Sequence, residues 1–545
     1  MEKMENFVSR KISRYGGIRN IKYQISNIKY LKSWNTFFIL SILLLASFLR
    51  LYKIGDYMTF LGDEGRDVLV AKHILGGDFV FIGPRSSAAD FFYGPIYYYL
   101  ITPFLWLFNY DPVGPAVFVA LISVATIYLV YKVGSVFFNK KAGLFAASLY
   151  TVSPLVIAYS RSSWNPNPLP FVSLLCLFTL YNAATKKSWK LYVLTGLLLG
   201  FALQMQYLAL FLGIIVGTYV FVTTMIREKR LALLEMIKHY GQIILGFVIG
   251  FAPFLGYELV HNFPNTRTIL GFIFVTNPNN PTAKDHPFFQ TVVDAFSHLT
   301  GRLLLVLPPK SQFPLHDQTM LVLWQGAAVL LVIAGAVALI RLRSSYKSLL
   351  LFLWLVIGIG FFGFYKKQLY DYYFGFLFPL PFLLVGNLLS ILISSKKLFH
   401  SGKVLGVILF VSIFLFNLSA NPFRSGPNQQ KKQVEEISDF VLSKADNKPF
   451  NFALITKGNS DHGYRYFFEV KGNKPIEIKN LQEDPMHLSV TDQLFVVCEY
   501  KDCKPLGYSL HEIAGFGRAE IADEWDISVV KVVKLVHFQE NFPTQ

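Results

Sequence analysis

Residues 36–67 read TFFILSILLLASFLRLYKIGDYMTFLGDEGRD. The apolar run Thr36–Tyr52 is long enough to cross a bilayer as a helix. The segment that follows it, Leu61–Asp67, carries four charged residues out of seven. Charges beside a membrane entry point are costly unless water solvates them or they have a task. The run and its charged end together predict a membrane helix that delivers an acidic pair to the membrane surface.

Two interpretations of the acidic pair remain open from the residues alone. In one, Asp63 is the N-cap of a short helix over 63–75, with Glu64 and Asp67 in its first turn. In the other, Asp63 and Glu64 perform chemistry at the interface. The two interpretations are compatible, because one carboxylate can serve both purposes.

The composition of the whole chain indicates a polytopic membrane protein. Of its 545 residues, 53% are hydrophobic and 16% are charged, whereas soluble domains carry roughly a quarter charged residues. The mean hydropathy is +0.42. The net charge of +17 fits Lys and Arg in cytoplasmic loops, so no nucleic-acid partner is expected.

Basic clusters and apolar runs together predict about eleven spans, with the N-terminus inside and the C-terminus outside. Lys366-Lys367 is an exception, because it falls in a short outer turn. The two lysines are either tolerated at a helix end or form a phosphate-binding pair. The predicted spans are Thr36–Tyr52, about Val113–Phe138, Ala142–Tyr159, Leu169–Ala184, two short spans within Leu191–Ile226 that turn near Gln204–Tyr207, Tyr240–Val260, Met320–Ile340, Ser348–Phe364, about Tyr370–Ile393 and Val404–Leu418.

The same pattern divides the chain into a basic cytoplasmic tail (1–35), a transmembrane domain (36–420) and a soluble extracytoplasmic α/β domain (421–545). Outer loops are expected at 53–111 and 261–319. In the last domain, Gln430–Ala445 has helical periodicity, and three β-rich runs are Phe450–Thr456, Gln493–Tyr500 and Ile527–Val536. Cys498 and Cys503 either pair in an oxidising compartment or stay free.

The first outer loop carries the sequence's most specific pattern. After the acidic pair comes a short amphipathic segment ending in Gly76-Gly77-Asp78, and then the aromatic segment Asp90–Leu100, which contains Gly94-Pro95. This arrangement resembles the GT-C integral membrane glycosyltransferases, within them the protein O-mannosyltransferase and aminoarabinose transferase group. The resemblance in layout covers roughly 36–393, and its specific part is 62–100.

Two further segments, 159–168 and 366–373, resemble outer-face segments of that group. The chain departs from the group at Tyr93-Gly94-Pro95, where many relatives have Lys-Pro or Pro-Pro, and at Asn165 and Asn167, which replace an Asp. These departures put in doubt any metal site that relatives build from such acids, so no cofactor is expected to be required, although a divalent metal is possible. The resemblance implies catalytic roles for Asp63 and Glu64, donor-phosphate binding by Lys366, Lys367, Arg161 and Arg66, and substrate binding by Asp90, Tyr93, Pro95, Tyr97, Asn165, Asn167 and Tyr372.

The resemblance also implies an activity: transfer of a sugar from a polyprenyl-phosphate donor to an acceptor hydroxyl on a glycan, lipid or protein at the outer face. Asp63 is the first choice for the base, because a carboxylate near low-dielectric surroundings suits that task, and a single displacement inverts the anomeric centre. The alternative is a lipid-linked sugar flippase or other transporter. Against it, the spans are apolar at their centres and the polar residues gather at one face.

Overall fold

The structure, a computed structural model, describes residues 34–86, 90–228, 232–274, 287–305, 318–339, 345–365, 369–395, 399–500 and 502–539. Nearly all of the predicted basic tail, as well as Lys366 and Lys367, lies outside these ranges. The described chain forms a mostly helical membrane domain followed by a small C-terminal α/β domain, which confirms the predicted fold class.

The membrane domain consists mainly of helices. Its helices are α1 Trp34–Leu51, α2 Ile54–Tyr57, α3 Gly62–Leu75, α4 Ile96–Leu107, α5 Val113–Phe137, α6 Lys140–Val152, α7 Pro154–Tyr159, α8 Leu169–Lys186, α9 Trp189–Met205, α10 Leu210–Glu228, α11 Ala232–Val260, α12 Pro264–Phe274, α13 Phe288–Leu304, α14 Gln318–Val337, α15 Tyr346–Gly360, α16 Pro379–Ser394 and α17 Phe399–Ser419. Short 3₁₀ helices cover Tyr207–Ala209, Phe361–Phe364 and Asp371–Leu377.

Within the described residues, seven helices are long and apolar enough to cross a membrane, or eight if one bent pair is a single span. Two other predicted spans are interrupted. Span three is divided into α6 and α7 at Ser153, which is extended because Pro154 follows it. Span ten is bent by 56° between Asp371–Leu377 and α16.

The segment predicted as the second outer loop, 261–319, is not entirely loop. It contains α12 and α13, and α13 packs against α14. Periodicity was difficult to recognise here because Pro and Asn are frequent in the surrounding sequence. This departure matters for the site, because α13 carries His298 and Arg302, which contact Asp371.

The C-terminal domain has one mixed sheet, in the order β1-β2-β4-β3, with β1 parallel to β2 and the other pairs antiparallel. Its elements are α18 Gln430–Ala445, β1 Asn451–Ile455, α19 His462–Val470, β2 Gln493–Cys498, α20 His511–Phe516, β3 Ala519–Ile527 and β4 Val530–His537. Cys498 and Cys503 form a disulfide, which resolves the alternative left open by the sequence.

The C-terminal domain and the first outer loop share one hydrophobic core. Buried residues of α3 and α4 belong to the same cluster as buried residues of α18 and α19. At this junction the ring of Phe60 contacts that of Phe467 at 5.6 Å between centroids. The start of α3 is therefore held between the membrane domain and the C-terminal domain.

Candidate active site

The N-terminus of α3 lies directly against the C-terminal domain. A Cβ atom at Gly62 would lie 2.0 Å from Ser460 Oγ, and one at Gly65 would lie 2.3 Å from the backbone nitrogen of Gly463. Real Cβ atoms do not approach so closely, so only glycine fits at these two positions without a shift of the partner. The two glycines that flank Asp63 and Glu64 thus allow the acidic turn to contact the second domain.

The cap of α3 differs from the sequence interpretation. The N-cap position is Leu61, so Asp63 lies inside the first turn and is not the N-cap. Two other oxygens serve the helix start: Asn459 Oδ1 accepts from Gly62 N at 2.7 Å, and Glu64 Oε2 accepts from Leu61 N at 3.1 Å. Because other groups supply the cap, the Asp63 carboxylate is directed elsewhere.

Asp63 is the exposed member of the acidic pair, with 55% of its side chain accessible. Arg66 Nη1 binds Asp63 Oδ1 at 2.7 Å, while Arg66 Nη2 binds Asp67 Oδ1 at the same distance. Asp67 is fully buried. Arg66 is therefore held between two carboxylates, and it fixes the position of Asp63 at the surface of the cleft.

Glu64 is the buried member of the pair, with 6% exposure. Burial, reinforced by the negative charges of Asp63 and Asp67, raises the pKa of Glu64 from 4.5 to about 7. Burial also raises the pKa of Asp67 to about 6, against the attraction of Arg66. One turn of helix thus combines an exposed carboxylate with a buried carboxyl that titrates near neutral pH.

A cleft of about 450 Å³ opens over this turn. Three parts of the chain form its walls: the segment that starts α3, the end of α7 with the loop after it, and the loop before α19. Its lining residues are Thr59, Leu61, Gly62, Asp63, Glu64, Ala158, Tyr159, Ser162, Trp164, Gly458, Asn459 and Ser460. The volume is in the range of small-molecule sites, and the walls carry both carboxylates and neutral polar groups.

One side of the cleft is aromatic. The rings of Tyr159 and Trp164 stack at 6.4 Å between centroids, and Tyr372 packs edge-on against Trp164 at 4.6 Å. Aromatic faces of this kind bury the apolar C–H surface of a sugar ring. Tyr372 was predicted from the sequence to bind substrate, whereas Trp164 lies in the segment 159–168 but was assigned no role.

Arg161, predicted to bind the donor phosphate, occupies a different position. Its guanidinium donates to the carbonyls of Leu49, Arg50 and Tyr52 at 3.0, 3.0 and 2.7 Å. Leu49 and Arg50 lie in the last turn of α1 and Tyr52 follows its end, the region where the carbonyls of a helix generally lack partners within it. A cation at a helix C-terminus also interacts favourably with the helix dipole. The contacts of Arg161 therefore support a capping role for α1.

A cluster that the sequence analysis overlooked lies on α13. His298 Nε2 and Arg302 Nε both contact Asp371 Oδ1 at 2.7 Å, and 52% of the Arg302 side chain is exposed. Asp371 and Arg302 are close enough to Tyr159, in the cleft wall, to interact with it electrostatically. The sequence feature that could have revealed this cluster is the i, i+4 spacing of His298 and Arg302. That spacing places two side chains on one face only in a helix, and this segment was predicted to be a loop.

Three predicted substrate-binding residues lie along the loop that leads to α4. Asp90 is exposed and pairs with Arg85 at 2.8 Å. Tyr93 donates to Gln206 Oε1 at 3.3 Å, and Pro95 is the N-cap of α4. The described lining of the cleft does not include these residues.

The other predicted polar residues support the loop at 160–168. The Tyr97 hydroxyl contacts Ser163 Oγ at 2.7 Å, Asn165 Nδ2 donates to the carbonyl of Met205 at 2.8 Å, and Asn167 Nδ2 donates to that of Ser162 at 2.9 Å. Asn167 also lines a small cavity of about 20 Å³ beside Tyr159 and Tyr372. These contacts fix the loop that carries Trp164.

A divalent metal would need a set of donor side chains that converge. Among the described residues, no group of three or more His, Cys, Asp and Glu side chains is arranged to hold one. Asp63 and Glu64 differ in exposure, and Arg66 already neutralises Asp63. The donor set does not fit a metal, so we derive no step through one.

Comparisons with known proteins agree with this architecture. Residues 93–257 match the profile of the dolichyl-phosphate-mannose-protein mannosyltransferase family. Among curated proteins, none matches the sequence significantly. Because the family profile covers less than half of the chain, the match by itself describes only that segment.

Two solved structures are similar over most of the chain. ArnT from Cupriavidus metallidurans, bound to undecaprenyl phosphate, has a TM-score of 0.59 and 12% identity, covering 92% of this chain and 98% of that one. The oligosaccharyltransferase AglB from Archaeoglobus fulgidus, in complex with an inhibitory peptide and a dolichol-phosphate, has a TM-score of 0.51 and 16% identity, covering 86% and 70%. At these identities the likeness concerns the fold. The chain therefore shares the fold of ArnT and AglB, the GT-C fold that the sequence resemblance predicted, and its residues 93–257 match the profile of the dolichyl-phosphate-mannose-protein mannosyltransferase family.

Proposed function

We propose that this protein transfers a sugar from a polyprenyl-phosphate donor to the hydroxyl of an acceptor molecule in the cleft over α3. The observation that carries this proposal is the cleft itself, which joins the carboxylates of Asp63 and Glu64 to the stacked rings of Tyr159 and Trp164. The likeness in fold to ArnT with undecaprenyl phosphate and to AglB with dolichol-phosphate supports a lipid phosphate as the carrier.

The proposed reaction is a single displacement at the anomeric carbon. The acceptor oxygen forms a bond to C1, the bond from C1 to the phosphate oxygen breaks, and its electron pair leaves with the polyprenyl phosphate. The anomeric configuration inverts. The acceptor proton must pass to a base within hydrogen-bonding reach.

Asp63 is the proposed base because its carboxylate is exposed to the cleft. Arg66 holds Oδ1, and Oδ2 is the oxygen proposed to take the proton. Glu64 lines the same cleft but is buried and bonded to the backbone of Leu61. Its proposed role is to fix the acidic turn.

The leaving phosphate requires cations that meet its developing charge. Arg302 is one candidate, since it is half exposed beside the aromatic wall. Lys366 and Lys367 remain candidates from the sequence, at the start of the segment that leads to Tyr372. Arg66 supports Asp63 in this proposal rather than the phosphate.

We place the cleft at the extracytoplasmic side of the membrane. Basic residues concentrate at the opposite ends of the predicted spans. The Cys498–Cys503 disulfide agrees with this orientation, because disulfides persist mainly in oxidising compartments. The acceptor, whether glycan, lipid or protein, would then approach from outside.

The test is turnover of purified protein with a panel of polyprenyl-phosphate sugars, scored by release of polyprenyl phosphate. We expect turnover of at least one donor and its loss in Asp63→Asn. Asp78→Asn is the matched control, because it removes one exposed carboxylate just beyond the other end of α3. Full transfer by Asp63→Asn would refute the base assignment. Absence of turnover with every donor would instead favour the transporter alternative.

A further inference from the structure

The turn before α19 places the amide side chain of Asn459 at the start of α3. Asn459 Oδ1 accepts from Gly62 N at 2.7 Å and from Ser460 N at 2.9 Å. Gly62 and Asn459 are 397 residues apart in the chain. Since Asp63 follows Gly62 directly, the position of Asn459 determines where the acidic turn begins.

Glu499 fixes the orientation of this amide. Asn459 Nδ2 donates to Glu499 Oε1 at 2.8 Å, and Thr456 Oγ1 donates to Glu499 Oε2 at 2.6 Å. Thr456 follows β1 and Glu499 follows β2, two parallel strands in which Ile455 pairs with Cys498. The carboxyl ends of neighbouring parallel strands therefore bring the carboxylate and the turn together, and only one amide orientation satisfies both Glu499 and Gly62.

The C-terminal domain also holds the far end of α3. Glu469 Oε2 contacts Lys72 Nζ at 3.2 Å and His73 Nε2 at 2.8 Å. Lys72 and His73 lie in the last turn of the helix. With Asn459 at one end and Glu469 at the other, α3 has little freedom to slide or rotate against this domain.

We propose that Asn459, oriented by Glu499, is a positioning residue for the carboxylates of α3, so that the C-terminal domain is an integral part of the active site. The proposal rests on the proposed glycosyl transfer for its kinetic consequences. Its structural consequence, a helix start fixed by the second domain, is independent of that activity.

The test exchanges donor and acceptor in the Asn459–Glu499 bond. Asn459→Asp keeps an oxygen for Gly62 N but places a carboxylate against Glu499, so the two repel each other. The double variant Asn459→Asp with Glu499→Gln restores the bond, because the Gln amide now donates to the Asp carboxylate. Asn480→Asp is the matched control, since Asn480 likewise bonds a glutamate and accepts from the backbone of its own turn, and it does so in a different part of the domain.

We expect Asn459→Asp to lower kcat by at least roughly tenfold, since small displacements of catalytic groups have effects of this size. The donor KM should change little, because Asn459 is proposed to act on the carboxylates. The double variant should recover to within roughly threefold of wild type. An unchanged kcat in Asn459→Asp, or a double variant no better than the single one, would overturn the proposal while the activity of the wild type stands.

A second measurement does not require turnover. Hydrogen exchange of peptides from α3 should be about fivefold faster in Asn459→Asp than in wild type, because repulsion from Glu499 displaces the residue that caps the helix. It should be unchanged in Asn480→Asp. Equal exchange in all three proteins would refute the positioning role. If the wild type turned over no donor, the proposed function would fail, and this measurement would still decide whether Asn459 holds the helix.

Discussion

Replacement of Glu64 by Gln tests the electrostatics of the acidic turn. Burial raises the pKa of Glu64 from 4.5 to about 7, so the folded protein holds this proton more tightly than the unfolded chain does. Below about pH 4.5 the group is protonated in both states and carries no charge penalty. Between about pH 4.5 and 7 the unfolded chain loses this proton while the folded protein keeps it, so the folded state loses stability; above pH 7 the charge is buried and the loss is complete.

The size of this effect follows from the pKa. The difference between 4.5 and about 7 corresponds to roughly 3 kcal/mol of unfolding free energy, lost between those pH values. Gln keeps an oxygen for Leu61 N but has no proton to lose. We therefore expect Glu64→Gln to match the wild type near pH 4.5 and to be more stable by up to roughly 3 kcal/mol at pH 8.

The assay is thermal unfolding of both proteins in the same detergent at a series of pH values. The gap between the two unfolding midpoints should open as pH rises from 4.5 to 8. The pKa of Asp67 is also raised by burial, and this effect of burial on Asp67 is common to both proteins, whereas the repulsion between Asp67 and Glu64 belongs to the difference that the comparison measures. A gap that is constant with pH, or that closes as pH rises, would refute the account of Glu64 as a carboxyl with a raised pKa.

Three further substitutions test other parts of the site. Trp164→Ala should raise the donor KM by about tenfold, because it removes the ring that stacks on Tyr159, and Trp164→Phe should keep the KM near that of the wild type. A donor KM that is the same in Trp164→Ala and the wild type would exclude a sugar contact by Trp164. Arg302→Gln should slow polyprenyl phosphate release by roughly tenfold if this cation meets the leaving group, and an unchanged rate would leave that task to other residues. Arg161→Gln should lower the unfolding free energy by about 2 kcal/mol, because Arg161 contacts carbonyls at the end of α1, and kcat of the folded enzyme should stay within twofold. A loss of kcat without a loss of stability would instead support Arg161 as a phosphate ligand.

The membrane helices were predictable because apolar length and basic ends are local properties of the chain. Two spans, expected at 113–138 and 169–184, appear as Val113–Phe137 and Leu169–Lys186. In the C-terminal domain the helix Gln430–Ala445 has the predicted bounds. Strand β3 was missed because it is exposed and charged, so it lacks the alternation that marks a half-buried strand.

The site was predictable only in part, because most of its contacts join distant segments. Sequence pattern singled out the acidic turn and the segment 159–168, which carries Trp164. It did not reveal that the loop at 458–460 forms a wall of the cleft, since neutral residues such as Asn459 and Ser460 carry no recognisable motif. The role predicted for Arg161 rested on its charge, and the structure shows that backbone carbonyls bind that charge.

The glycines around the acidic pair explain why the N-cap of α3 is not Asp63, as one of the two interpretations predicted. At an exposed helix start, glycine lowers the stability of the helix, because it has more backbone freedom to lose on folding than other residues. Here Gly62 and Gly65 lie where any side chain would meet Ser460 or Gly463, so their contribution is close contact between the two domains. That contact lets Asn459 supply the cap, and a cap supplied from outside leaves Asp63 exposed to the cleft while Glu64 is buried beneath it. The Gly-Asp-Glu-Gly pattern is thus accounted for by contact between domains, and the chemistry proposed for Asp63 depends on that contact.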